Sequence, residues 1–259
     1  MIELDTIYNE DCLEGMKRIP DGSVDAIICD LPYGVLNKQS EGGSWDSIIP
    51  LEPMWEQYRR IIKDNGAIVL FAQGMFTAKL MISQPKLWRY NLVWDKVRAT
   101  GFLNANRMPL RYHEDICVFY KSLPTYNPQM EDLNGREPNH PQGHGEHIEK
   151  NSCYGKVGRI NPTYEDKKHP RSIIRINAVH CNEGQFHPTQ KPVNLLRYLI
   201  RTYTNEGETV LDNCIGSGTT AVAAVKENRH YIGFELSKEY YDKACERIKN
   251  EQMQLKLDL

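Results

Sequence analysis

Thr209-Val210-Leu211-Asp212-Asn213-Cys214-Ile215-Gly216-Ser217-Gly218-Thr219-Thr220-Ala221 is the stretch that decides the fold. Thr209–Asp212 is short, apolar and bounded by turn residues, the pattern of a buried strand. Gly216 and Gly218 let the backbone approach a ligand where a side chain would stand in the way. A helical pattern follows over Thr219–Asn228, then a second strand over Tyr231–Glu235. Glu235 stands 19 positions after Gly216, the place of the acid that hydrogen-bonds ribose hydroxyls in a βαβ adenosine-cofactor site. Taken alone, GSGTTA also fits a dinucleotide turn with Ala221 in the last small position, so a nicotinamide cofactor stays open at this point, as does a plain tight turn.

Working outward, Pro192–Thr204 predicts a helix with Val193, Leu195, Leu196, Leu199 and Ile200 inward, and Lys238–Glu251 a last helix. Upstream, Val24–Cys29 and Ala67–Ala72 are buried strand patterns separated by a helical pattern over Leu51–Lys63, which Asp64-Asn65-Gly66 ends. Tyr90–Trp94 and Ile116–Tyr120 are further strand candidates, and Thr6–Tyr8 is a short β-prone stretch before a helical pattern over Leu13–Ile19. Strands alternating with helices predict an α/β fold, doubly wound around a mainly parallel sheet. Residues 122–186 are rich in Pro, Asn, Gly and His and poor in apolar periodicity, so they are expected to be an insert on a domain formed by 1–121 and 187–259.

The chain has 259 residues, 40% hydrophobic and 25% charged, which is ordinary globular composition. Its net charge of −2 excludes a uniformly basic coat. Between 150 and 175, however, seven Lys/Arg face two Asp/Glu. Lys156, Arg159, Lys167, Lys168 and Arg171 in that stretch are candidate phosphate contacts, with a solvated loop as the bland reading. Tyr154 and Tyr164 interleave with these bases. The longest apolar run, Ala67–Ala72, is far too short for a membrane span, and the acidic first residues carry no secretory pattern. Seven scattered cysteines without a CxxC pair point to reduced thiols in a cytoplasmic protein. His140, His144, His147 and Cys153 lack metal-ligand spacing, so no metal is expected.

A second chemical constellation ends the Val24–Cys29 strand at Asp30-Leu31-Pro32-Tyr33. Asp30 is a carboxylate acceptor, the Pro32 carbonyl a second one, and Tyr33 a flat aromatic face. Two acceptors beside a stacking plane suit an exocyclic amine of a base that has left its helix. A plain turn with a buried tyrosine is the alternative. Trp45, after Gly42-Gly43, suits either a base-pocket wall or a packing anchor, and Asp46 shares that loop.

This tip resembles the DPPY signature of amino-group DNA methyltransferases. DNCIGSGTT resembles their S-adenosylmethionine loop, and HPTQKPVNLL (187–196) the motif that precedes it. The order, catalytic tip first and cofactor loop last, is similar to the β-class of these enzymes, and the resemblance spans about two thirds of the chain. It departs from the family pattern at Leu31, where a proline is usual, and at Asn213-Cys214, where Pro-Phe is usual.

The resemblance implies a circularly permuted methyltransferase sheet in which Thr6–Tyr8 supplies the strand beside Tyr231–Glu235. It implies S-adenosylmethionine as cofactor, held by Asp11, Cys12, Asp30, Thr189, Lys191, Asp212, Cys214, Gly216, Ser217, Gly218, Thr219 and Glu235. An N-cap is the second role open to Asp11. It implies Asp30, Pro32 and Tyr33 as catalytic residues for direct methyl transfer, and DNA as partner through a target-recognition insert at 122–186. Asp at the first position of the tip favours adenine N6, with cytosine N4 as the alternative. A nicotinamide-dependent oxidoreductase and a non-catalytic DNA-binding relative are the rival classes. A homodimer and a cognate restriction endonuclease are compatible partners, the latter not required.

Overall fold

The computed structural model describes residues 2–34, 46–132, 167–179, 187 and 189–257. The strand pattern around Gly216 is realised as β9 (Thr209–Asp212), a turn, α5 (Thr219–Lys226) and β10 (His230–Phe234), all in one parallel array. β1 (Thr6–Tyr8) lies outside β10, with Thr6 opposite Ile232, so the first strand of the chain completes the edge beside the last. On the other side of β9 lies β2 (Val24–Cys29), followed by β3 (Ile62–Ala72). The eight-stranded sheet has the order β1-β10-β9-β2-β3-β5-β4-β8, where β4 is Trp88–Thr100, β5 Arg111–Phe119 and β8 Ile173–Arg175. Five strands from β1 to β3 are parallel. β5 is antiparallel to both of its neighbours, and β8 runs parallel to β4.

Every residue of β2 is buried, because both faces of the sheet are covered. Side chains alternate along the strand. Ala26 and Ile28 pack with Val69, Phe71 and Val118 toward α4 (Val193–Tyr203), α5 and α6 (Lys238–Leu257), whose Leu195, Leu199, Ala221 and Ile248 close that face. Ile27 and Cys29 point the other way, with Ile68, Leu70 and Phe119, against α1 (Cys12–Met16), α2 (Leu51–Ile61) and α3 (Met75–Ser83) through Met16, Trp55, Tyr58 and Leu80. The result is a three-layer α/β fold, doubly wound as the alternating pattern implies.

Five elements differ from the sequence reading. Helix α2 ends at Ile61 rather than Lys63, and β3 begins at Ile62, five residues early. Asp64-Asn65-Gly66 is therefore an irregular strand entry, with a register shift opposite Val24–Ala26. A Cβ on Gly66 would lie 2.8 Å from the Asp25 carbonyl oxygen, so only glycine fits there. Helix α3 carries no amphipathic stripe, since Met75 and Ile82 are exposed while Phe76 and Leu80 are buried. β4 and β5 extend well beyond the apolar stretches that mark them, because their outer halves are held by backbone pairing rather than by burial.

Residues 1–127 and 172–259 form one compact unit and 128–171 a second. The insert is thus shorter than 122–186. Asn127 donates from its backbone N–H to the Thr202 carbonyl (2.8 Å), and β8 pairs with Val93–Asp95, so both flanks belong to the sheet unit. Within the second unit, β6 (Glu131–Asp132) pairs antiparallel with β7 (Lys167–Lys168). No helix among the described residues is long and apolar enough to cross a membrane.

Candidate active site

β9 and β2 are adjacent and parallel, yet the chain leaves their carboxyl ends toward opposite sides, from β9 to β10 and from β2 to β3. A crevice outside the strand ends at such a switch point is where α/β sheets bind ligands. Here it holds a cavity of about 540 Å³, in the size range of small-molecule sites. Asp30 and Pro32 line one end, and Glu235, Leu236 and Ser237 the other, with Gly216, Ser217 and Thr219 between them. Of the expected cofactor residues, Asp11, Cys12, Asp30, Thr189, Lys191, Asp212, Cys214, Gly216, Ser217, Thr219 and Glu235 all line this one cavity.

At the glycine turn, Gly216 has φ +49° and Gly218 φ +73°, both in the left-handed region. The Gly216 N–H donates to Glu235 Oε2 (2.9 Å) and the Ser237 N–H to Glu235 Oε1 (2.8 Å), so this acid ties the end of β10 to the turn. Burial pushes the Glu235 carboxyl up, against the pull of those backbone donors. Gly218 is not on the cavity wall. It caps α5, and a Cβ on it would meet Ala244 Cβ at 3.1 Å. Asp212 is held by Thr220 Oγ1 (2.6 Å) and the Cys214 N–H (3.0 Å), while burial pushes its carboxyl up to about 6.

Asp11 takes the N-cap role that the sequence left open. Its Oδ1 accepts from the Leu13 N–H (2.8 Å) and the Glu14 N–H (3.3 Å), while the residue also faces the cavity. Asn213, where the resembling family has an apolar pair, is buried. Tyr58 donates to its Oδ1 (2.5 Å), and its Nδ2 lies 3.5 Å from Cys12 Sγ and 3.6 Å from Cys214 Sγ. The departure is therefore compensated by a buried polar network on the cavity floor. Cys29, beneath it, is pushed up to about 12 by burial and stays a thiol.

The tip after β2 carries an unanticipated charge cluster. Asp30 Oδ1 accepts from the Tyr33 hydroxyl (2.8 Å), and Oδ2 pairs with Lys191 Nζ (2.5 Å). Lys191 also reaches Glu114 Oε2 (3.3 Å), whose Oε1 pairs with Lys96 (3.2 Å). Burial pushes the Asp30 carboxyl above its ordinary value; Lys191 opposes that and Glu114 adds to it. Burial alone would lower the Lys191 ammonium, but Asp30 and Glu114 together raise it. Burial would likewise raise Glu114, and Lys191 and Lys96 more than offset it. The cluster thus sets two carboxyl groups against two lysines. Glu114 and Lys96 escaped the sequence reading because they sit on strands whose pairing alone brings them to the tip.

Tyr33 is not a wall of the cavity among the residues that line it. Its ring packs on Phe76, with centroids 5.1 Å apart, and burial holds its hydroxyl protonated well above the ordinary range. Asp46 is buried and accepts from the Gly34 N–H (2.8 Å), fastening the far side of the tip; Trp45 lies outside the described residues. His187, edge-on to Tyr240 at 4.3 Å, lines the cavity, and burial with the nearby Lys191 charge lowers its imidazole to about 4.

The expected phosphate contacts divide. Lys156 and Arg159 lie outside the described residues, as do Tyr154, Tyr164, His140, His144, His147 and Cys153. Lys167 is on β7; Lys168 and Arg171 both pair with Glu131, at 3.2 and 3.3 Å. Among the described residues, no group of His, Cys, Asp and Glu could hold a metal ion.

A doubly wound sheet with an acid-clasped glycine turn and an acidic tip in one crevice has the layout of an enzyme that binds an adenosine-bearing cofactor. The chain belongs to the DNA methylase family N6_N4_Mtase, whose profile matches residues 24–246. It is similar to the type II methyltransferase M.HpaI of Haemophilus parainfluenzae, with 27% identity over 92% of this chain and 72% of that protein. It is also similar to M.BglII of Bacillus subtilis, with 27% identity over 96% of this chain and 70% of that one. Among solved structures, it resembles the PvuII DNA methyltransferase, described as cytosine-N4-specific (TM-score 0.66, 16% identity, 95% and 90% coverage). It also resembles the M1.HpyAVI–SAM complex (TM-score 0.60, 23% identity, 93% and 98% coverage). The chain is a DNA amino-methyltransferase.

Proposed function

We propose that this protein transfers a methyl group from S-adenosylmethionine to adenine N6 of a base flipped out of duplex DNA at a specific site. The observation that carries the reading is the single cavity running from Glu235, past the glycine turn, to Asp30 and Pro32. Its residues fit the cofactor: Glu235 keeps lone pairs for ribose hydroxyls beyond the two backbone donors it accepts. Thr219 and Thr220, which open α5, line the same space. A related structure is described as a complex with S-adenosylmethionine.

The cofactor supplies a methyl group already activated on a sulfonium, so the protein's task is alignment and electrostatics. Asp30 is held by Tyr33 and Lys191, one donor on each oxygen, which leaves an acceptor site for an exocyclic N–H. The Pro32 carbonyl is the second acceptor. Together they draw the nitrogen lone pair out of ring conjugation and toward the methyl donor. Methyl transfer would break the sulfonium–methyl bond, leaving a neutral thioether, and leave the amine with one proton too many, for which Asp30 on the cavity wall is the base at the tip. Lys191 favours the ionised form of Asp30 for that step, against the larger effect of burial. With its ring on Phe76, Tyr33 acts chiefly through its hydroxyl on Asp30.

Cytosine N4 is the second reading, favoured by the likeness to the cytosine-N4-specific PvuII enzyme. Asp30 in the first position of the tip argues for adenine. The compact unit at 128–171 serves as target reader, and the protein works in the cytoplasm. Asp30→Ala should abolish methyl incorporation into DNA while sparing duplex binding. Retention of more than a few per cent of the wild-type rate refutes the role of Asp30. Methylation-sensitive sequencing of DNA from an expressing strain reports base and site together.

A further inference from the structure

The β4–β5 connection has no role in the site as described, yet it leaves the sheet beside it. β5 pairs antiparallel with β3, Asp115 opposite Ala72, and β3 pairs with β2, Leu70 opposite Cys29. The amino end of β5 and the carboxyl end of β4 therefore project past the same sheet edge as Asp30. Lys96, at the root of this hairpin, touches Glu114, which touches Lys191 on Asp30. Beyond it the ladder slips between Asp95 and Thr100, with Val97 at φ +63° and Gly101 at φ +88°, and the chain turns outward.

Two properties of the projecting part are unusual. Its tip is apolar and bare: Phe102 is 69% exposed and Leu103 fully so, with Met108 and Tyr112 also exposed. Its flanks are cationic: Arg98, Arg107 and Arg111 are exposed, and no Asp or Glu occurs from 96 to 113 in a chain of net charge −2. Bare apolar side chains at a loop tip are unfavourable in water unless a partner covers them. Arginines flanking an apolar tip are complementary to a duplex, whose phosphates take the cations and whose base stack takes the apolar wedge.

We propose that the β4–β5 hairpin is a DNA-entering arm, with Arg98, Arg107 and Arg111 on phosphates and Phe102 and Leu103 in the space a withdrawn base leaves in the stack. The proposal rests on the DNA base-methylation reading above and adds the residues that hold the duplex open beside Asp30.

The test uses the full chain and a duplex carrying the mapped site. In the triple variant Arg98→Gln/Arg107→Gln/Arg111→Gln, the slope of log K against log salt should flatten by about 0.9 for each lost phosphate contact. In Phe102→Ala/Leu103→Ala, 2-aminopurine at the target position should lose most of its fluorescence rise on binding, and transfer should slow about tenfold, the scale of one lost base stack. Cofactor affinity by calorimetry should stay unchanged in both, since neither change touches the cavity. Wild-type slope and wild-type fluorescence in the two variants would overturn the proposal. So would variants that alter only the sedimentation of the free protein, which would make the hairpin a contact between copies of this chain. If the wild-type protein neither methylates DNA nor binds it in a salt-dependent way, the base-methylation reading falls, and the arm with it. A methylating wild type with indifferent hairpin variants sinks the arm alone.

Discussion

Replacing Glu114 with Gln tests whether the buried charge cluster sets up the tip. The substitution keeps shape and volume and removes one charge. Lys191 would then retain only the Asp30 carboxylate, at 2.5 Å, and Lys96 would lose its carboxylate partner at 3.2 Å and keep the Thr100 hydroxyl, with both lysine side chains less than a tenth exposed. One positive charge is thus left buried without compensation, a situation that costs about 3–5 kcal/mol. For a chain of this size that is a fall in Tm of roughly 6–20 °C. The charge of Glu114 also pushes Asp30 up, so its removal should move the acidic limb of the pH–rate profile to lower pH. Differential scanning calorimetry and methyl incorporation between pH 5 and 8 read both effects. A Tm within about 2 °C of wild type, with an unmoved profile, would show that solvent or rearrangement supplies the missing charge and that the cluster does not govern the tip.

Glu235→Ala should weaken S-adenosylmethionine binding by calorimetry and loosen the turn it clasps; Gly216→Leu should do the same by straining a φ of +49°, and unchanged affinity in both refutes the cofactor site. His187 titrates near 6.5 unfolded and about 4 folded, so between those values the unfolded chain binds the extra proton and stability falls as pH drops. The loss should total about 3 kcal/mol by pH 4 and be missing in His187→Gln. Asp212, raised to about 6, contributes with the opposite sign, so urea unfolding of variant and wild type at pH 7.5 and 5 must be compared, and parallel curves would refute the assignment. The neutral variant Lys167→Gln/Lys168→Gln/Arg171→Gln should flatten the salt slope of DNA binding by about 0.9 per contact, and Glu131→Gln, which releases two cations, should steepen it. Slopes equal to wild type would make that strip a solvated face.

What the sequence determined by itself are the features written in local chemistry. Buried strands such as Val24–Cys29 show as short apolar runs because both faces of a covered parallel sheet are apolar. The glycine turn shows because positive φ demands glycine, and the acid at 235 because its distance from the turn is set by one helix and one strand. The placement of Thr6–Tyr8 beside the last strand was implied by the resemblance of the motif order to the β-class methyltransferases, and the pairing of β1 with β10 agrees with it. The tertiary structure alone decided which partners those residues have. Lys191, Glu114 and Lys96 come from a loop and two strands far apart in the chain, and nothing local marks them as a set. Tyr33, which the sequence left as either a stacking face or a buried tyrosine, has its ring packed on Phe76 from a helix that has no periodic signature. Asn213, an apparent departure, is accommodated by Tyr58 155 positions away. Backbone conformation and burial leave a mark in neighbouring residues; ion pairs and ring contacts between distant elements depend on sheet order, which periodicity does not encode.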